Sequence, residues 1–315
     1  MKYINTFKEG DRGTGVYLCK KRTQGVARNG KNFESITLAD KTGTIEGKIW
    51  DVDSEGIGDY SELDFISVTG NITTFNGSLQ FNISRLRRAS DEEYDPADYI
   101  PTTSHNIDEM YDELLGYIES MSAGYFKGLL RSFFVKDETF IKTFKAHSAA
   151  KSVHHGFVGG LLEHTLSVTK NCDFFTKQYP FLDRDLLLSA AILHDIGKTS
   201  ELSEFPRNDY TDDGQLLGHI VIGTHMVASA IEGIPDFPKM KASELLHCIA
   251  AHHGELEFGS PKKPAIAEAL ALSFADNLDA KMETIFEALM NVEEGNTTWQ
   301  GFNKLLDSNI RRTSV

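Results

Sequence analysis

A chain of 315 residues, 40% apolar and 25% charged, has globular composition and is long enough for two hydrophobic cores. No run of eighteen apolar residues occurs and the first ten positions are charged, so neither a membrane span nor a signal peptide is expected, and a soluble cytoplasmic protein is. Cys19, Cys172 and Cys248 lie far apart with no CxxC pair, which argues against a disulfide framework and against a thiolate zinc site; a metal here would need imidazole and carboxylate.

Residues 11–88 read as strands. DRGTGVYLCKKRTQG, NFESITLAD, GTIEGKIWDV, DFISVTGNITTFNG and SLQFNISRL alternate apolar with polar side chains and are rich in Val, Ile, Thr and Phe. Turn chemistry separates them at Asn29-Gly30, at Asp40 to Gly43 and at Asn76-Gly77, and an insert of loop or helix runs from Asp53 to Ser61. Five short strands in a segment of this length predict a small closed barrel over residues 1–90, with the five-stranded oligonucleotide/oligosaccharide-binding barrel as leading candidate. This segment holds 13 Lys+Arg against 11 Asp+Glu, whereas the remainder holds 19 against 35, so the net charge of −14 lies outside it.

Residues 91–106 (DEEYDPADYIPTTSHN) combine five carboxylates with two prolines and are expected to be a linker. From Ile107 the apolar period becomes helical, and residues 107–315 are predicted to be an all-α domain.

Nine of the eleven histidines fall between residues 154 and 253. His164 lies in GGLLEHTLSV, His194 and Asp195 in AAILHDIGK, His219 in LLGHIVIG, His252 and His253 in CIAAHHG, and Asp276 in ALSFADNLDA. Each is embedded in apolar sequence. Burying imidazole or carboxylate there unpaired costs several kcal/mol, a penalty that shared coordination of a cation removes.

The order His, His-Asp, His, His-His, Asp on successive helices, with Gly-Lys after His-Asp, is similar to the HD-domain metal-dependent phosphohydrolases. AAKSVHHGFVGGLLEHTLSV, AAILHDIGK, GHIVIG, AHHGELEFGSPKKP and ALSFADNLDAK resemble more closely still the YhaM-type 3′–5′ exoribonucleases, which place an oligonucleotide-binding barrel ahead of an HD domain. That resemblance implies a metal-dependent exonuclease that degrades single-stranded RNA, and DNA as a further substrate, to nucleoside 5′-monophosphates. It implies that His164, His194, Asp195 and Asp276 hold one divalent ion, with Asp195 bridging to a second completed by His219 and by His252 or His253. Mixed nitrogen and oxygen ligation favours Mn²⁺, Co²⁺ or Fe, with Mg²⁺ less readily tolerated. Asp195 and Lys198 are the catalytic candidates; Lys198 would share a face with His194 if the helix continued through Gly197, and its ammonium would then clamp a phosphate oxygen. Two other readings stay open: an HD phosphohydrolase of nucleotides or cyclic nucleotides, and a non-catalytic nucleic-acid-binding regulator.

For the strand itself, Phe33 and Phe75 beside turns are the stacking candidates, with Lys31 and Lys48 as neighbouring cations. His154 and His155 before the His164 helix, and Lys262 and Lys263 in the GELEFGSPKKP loop, are candidates for phosphate contacts. No membrane partner is expected, and a homo-oligomer is not derivable from the sequence.

Overall fold

The computed structural model describes residues 2–26, 30–95, 98–151, 155–290, 292–293 and 295–314. The chain divides into two compact units, residues 1–101 with 205–207 and residues 102–204 with 208–315.

The first unit is a closed five-stranded barrel in the order β1-β2-β3-β5-β4, formed by β1 (Arg12–Val26), β2 (Asn32–Asp40), β3 (Gly43–Ile49), β4 (Phe65–Phe75) and β5 (Ser78–Arg88). All neighbours run antiparallel except β3 and β5, whose short parallel ladder closes the barrel. The long β1 serves two partners because an irregularity between Cys19 and Lys21 bends it, so that its first half pairs with β4 and its second with β2. A second irregularity lies in β4 at Thr69/Gly70, and there a Cβ on residue 70 would stand 2.0 Å from the Asn82 carbonyl oxygen, a spacing that only glycine permits. Asn76 (φ 49°) and Gly77 (φ 82°) both take the left-handed conformation that a two-residue hairpin turn demands. Alternate residues including Tyr17, Ile36, Leu38, Ile66, Val68, Phe81 and Leu86 fill the interior. The insert between β3 and β4 is loop rather than helix; it lays Ile57 beside Leu86 and buries Tyr60, whose hydroxyl donates to the buried Glu34 carboxylate.

The segment expected to be a linker divides. Its first part belongs to the barrel unit: Tyr94 stacks on Phe65 with ring centroids 4.0 Å apart, and buried Tyr99 donates to the Val16 carbonyl at 3.1 Å. Asp98 accepts from Tyr3 and Lys41, both at 2.7 Å. Counting carboxylates and prolines flagged this stretch as solvated, but two tyrosines that cover the barrel wall outweigh them. The boundary lies at Pro101/Thr102.

The second unit is helical: α1 (Ile107–Glu119), α2 (Gly124–Phe134), α3 (Glu138–Ala146), α4 (Gly160–Gln178), α5 (Arg184–Leu193), α6 (Lys198–Glu201), α7 (Asp212–Leu216), α8 (Gly218–Glu232), α9 (Lys239–Ala250) and α10 (Ala267–Met290). Asn106, Asp137 and Asp183 cap α1, α3 and α5 through their side chains. Every residue of α5 from Leu186 to Leu193 is buried, because α4, α9 and α10 surround it. One addition departs from the all-α expectation, a two-stranded hairpin of β6 (Phe302–Asn303) and β7 (Ser308–Asn309). Among the described residues no helix is long and apolar enough to cross a membrane.

Candidate metal centre

The central helix α5 ends at Leu193, so His194 and Asp195 emerge in a turn at the heart of the unit rather than at its surface, with 0% and 2% of their side chains exposed. Four other helices deliver their side chains to that point: His164 from α4, His219 from the first turn of α8, His252 and His253 just past α9, and Asp276 from α10. The turn can approach α8 because residue 197 is glycine; a Cβ there would sit 2.1 Å from the His219 carbonyl oxygen.

The groups form two clusters that share Asp195. Its Oδ2 lies 3.5 Å from His164 Nε2 and 3.4 Å from His194 Nε2, while Asp276 Oδ1 lies 3.2 Å from the same His164 nitrogen. Its Oδ1 lies 3.5 Å from His219 Nε2 and 3.6 Å from His252 Nε2, and His253 completes this second group. His252 and His253 therefore both reach the centre.

Each ring is oriented from behind. Nδ1 of His194 donates to the Ala191 carbonyl at 2.7 Å, that of His252 to Ile249 at 2.6 Å and that of His253 to Phe258 at 2.8 Å. For His164 the partner is Asp279 at 2.7 Å, and for His219 it is Glu201 at 3.0 Å. A proton fixed on Nδ1 leaves Nε2 with its lone pair directed inward, the arrangement that ligating imidazoles require. Nε2 of His219, Nε2 of His252 and Oδ1 of Asp195 are buried without any hydrogen-bond partner. Leaving each unpaired costs about 1–3 kcal/mol, and one cation among them satisfies all three. The donor set thus fits divalent metal.

Electrostatics differ between the clusters. Burial opposes charge on His164, but its hydrogen bonds to Asp276 and Asp279 outweigh that and raise its pKa to about 10. Burial also disfavours ionised Asp195, yet Lys198 and His194 hold it well below the usual carboxylate range. On the other side, burial and neighbouring imidazoles push His252 well below its ordinary value, and burial with His219 lowers His253. The second cluster is neutral and ready for a cation, whereas the first stores a proton that a cation must displace.

Lys198 reaches the centre by another route than helix continuation. Residues 194–197 form a turn, α6 begins at Lys198, and its Nζ lies 2.6 Å from Asp195 Oδ2. Burial works against its charge but Asp195 prevails and raises its pKa, so it stays an ammonium. A cleft of about 670 Å³ opens over the first cluster, lined by His164, Lys198, His253 and Asp276 on one side and by Phe258, Lys263 and Phe274 on another.

The remaining candidates are dispersed. His154 lies outside the described residues. His155 differs from expectation: its ring is 3% exposed and bonds Asp279 at 3.0 Å, so it braces that carboxylate rather than offering itself to a phosphate. Lys263 pairs with Glu255 at the cleft, and Lys262 is exposed beside it. In the barrel unit, Phe33 packs against Trp50 with centroids 5.4 Å apart, and Lys48 Nζ lies 5.2 Å from the Phe33 centroid while pairing with Glu46 at 2.7 Å. Phe75 is 62% exposed at the β4–β5 turn, and Lys31 is exposed at the start of the β2 edge.

Three contributors escaped the sequence reading. Trp50, 51% exposed and held by an Nε1 bond to Asn82 Oδ1 at 3.1 Å, stood among aromatics assigned mostly to the core. Asp279 accepts from Ser167 and engages His155 and His164; its position one turn after Asp276 in ADNLDAK was an available signal. Glu201 accepts from the His219 backbone N–H at 2.9 Å as well as from its ring, a contact made only by tertiary folding.

The HD domain family matches residues 161–281. Over 298 residues, 94% of this chain and 91% of the other, the sequence is 36% identical to a protein of Geobacillus sp. (strain WCH70) named 3′-5′ exoribonuclease YhaM. Among solved structures, the chain is similar to the second OB-fold domain of replication protein A from Methanococcus maripaludis, by solution NMR at 17% identity over 29% of this chain and 95% of that one (TM-score 0.24). A crystal structure of a domain of the same protein is similar at 18% identity over 28% and 94% (TM-score 0.25).

Proposed function

This chain belongs to the YhaM family of 3′–5′ exoribonucleases, metal-dependent hydrolases of RNA, and from that premise we propose that it shortens single-stranded RNA, with DNA as a second substrate, releasing nucleoside 5′-monophosphates at a pair of divalent cations. The observation that carries this reading is Asp195, whose two oxygens each face a separate group of inward-directed imidazole nitrogens.

His164, His194 and Asp276 would hold one cation with Asp195 Oδ2, and His219, His252 and His253 the other with Oδ1. The nitrogen-rich set favours Mn²⁺, Co²⁺ or Fe over Mg²⁺. When bound, such cations acidify water and neutralise charge gathering on a phosphoryl group. The protein's own contributions are distinct. Lys198, charged and lining the cleft, turns from Asp195 to a nonbridging phosphate oxygen, where a fixed cation stabilises charge that grows in the transition state. Asp279, Glu201 and the Ala191, Ile249 and Phe258 carbonyls keep the rings aligned and thereby limit reorganisation. Lys262 and Lys263 meet the incoming backbone.

In the barrel unit, Phe33, Trp50 and Phe75 offer base-sized stacking surfaces, with Lys31 and Lys48 beside them, and such contacts accept any sequence. Binding energy realised there holds a strand whose 3′ end is hydrolysed at the metal centre. The three free, buried cysteines suit the reducing cytoplasm.

Matched oligoribonucleotides labelled at the 3′ or the 5′ end, incubated with Mn²⁺, test this directly. The 3′ label is expected to appear at once as mononucleotide while the 5′ label shortens stepwise; absence of mononucleotide from both overturns the reading.

A further inference from the structure

We propose that the outer face of α10 seats a second copy of this chain. Leu270, Phe274, Leu278, Met282, Phe286 and Met290 recur at every fourth position and are each 45–62% exposed. The row spans twenty residues, about 30 Å of helix. Apart from this row, only Ala267, Asn277, Lys281 and Glu287 are exposed on α10. Near its start, Leu270 and Phe274 join Tyr179 and Phe181, which are 53% and 75% exposed, around an apolar groove of about 430 Å³.

Half-exposed side chains of this size each present on the order of 100 Å² to water, so these eight offer on the order of 800 Å². Soluble monomers rarely show an apolar patch beyond roughly 300–600 Å². One partner's share of a stable interface is about 800 Å², so the patch matches what association of two copies needs.

Two features select a second copy over an unrelated partner. A row at four-residue spacing is one of the ridges by which helices interlock, and a two-fold axis brings the same ridge against itself, so complementarity comes without a second evolved surface. Charge points the same way. At −14 two copies repel over most of their surface, and a face with one lysine and one glutamate across twenty residues is where they can meet. Leu270 and Phe274 also line the cleft over the metal centre, so the partner borders its mouth.

Sedimentation velocity of the full chain through the micromolar range tests the assignment. Wild type is expected at twice the single-chain mass, and Met282→Glu with Phe286→Glu at the single-chain mass with unchanged thermal melting, a rise of at least about 100-fold in the dissociation constant. Should that pair fail to fold, Met282→Ser with Phe286→Ser gives the same reading. Leu216→Glu, at an 80% exposed position of α7, is expected to leave the dimer intact. Wild type at single-chain mass throughout, association that survives the α10 changes, or dissociation by Leu216→Glu overturns the proposal.

Discussion

The two units invert each other's chemistry. The barrel has an interior of alternating apolar side chains and wears its unusual residues outside, where Trp50 is 51% and Phe75 62% exposed. The helical unit has its unusual residues inside, with His164, His194, Asp195 and His252 all less than 5% exposed amid leucine and alanine. Both departures are unfavourable for an isolated fold. Bare aromatic surface favours a ligand that can stack on it, and a buried group without a partner favours one that can coordinate it. A planar base suits the first and a divalent cation the second, and that is the pairing a processive nuclease of single strands requires.

If the inner cluster is the chemical centre and the outer aromatics only hold the strand, the two should fail differently. Asp195→Ala strikes both clusters at once and is expected to lower kcat on the order of 10³-fold or more and to abolish tight metal binding, while affinity for a non-hydrolysable oligonucleotide stays near wild type; retained turnover would show the comparison to be misdrawn. Asp279→Asn leaves every inward-facing nitrogen in place but loosens His164, and about 10- to 100-fold in metal affinity or activity should go with it.

The clusters should also separate by pH. Because His164 has its pKa raised to about 10, a cation at its Nε2 competes with a proton at neutral pH. Affinity of that site should therefore climb as pH rises, by up to about tenfold per unit below that value, while His252 and His253, already neutral, add no such slope near pH 7. Calorimetry of metal binding in buffers of different ionisation enthalpy measures the released proton, and a flat profile for both sites would contradict the split. The smallest effect belongs to the barrel. Trp50→Ala should weaken long single strands by about 1 kcal/mol, about fivefold, with kcat for a short model phosphodiester unchanged; a change in kcat instead would place Trp50 in the chemistry.

Much of this was legible beforehand because of anomaly. Strand boundaries followed from alternation and from Asn76-Gly77, whose left-handed backbone admits few other residues. The ligand candidates stood out because His194-Asp195 follows Ala190, Ala191, Ile192 and Leu193, where a polar pair has no ordinary reason to be. Aromatics in the barrel carried no such mark. Phe81 and Trp50 look alike in an alternating strand, and only closure of the barrel put one inside and left the other in water. The same holds for Tyr94 and Tyr99, whose surroundings read as a solvated linker.

What the sequence determined by itself, then, is which residue types meet apolar surroundings along the chain: five strands, a helical domain, and a set of imidazoles and carboxylates that burial makes costly unless shared. Tertiary structure alone decided direction. It gave Asp195 one oxygen for each cluster, turned five imidazoles inward through acceptors on Ala191, Ile249, Phe258, Asp279 and Glu201, brought Lys198 to Asp195 across a turn instead of along a helix, and left the α10 row uncovered. Burial is a sum over local composition and can be read along one dimension, whereas a hydrogen bond depends on ångströms and angles between segments far apart in the chain, which exist only once the core has packed.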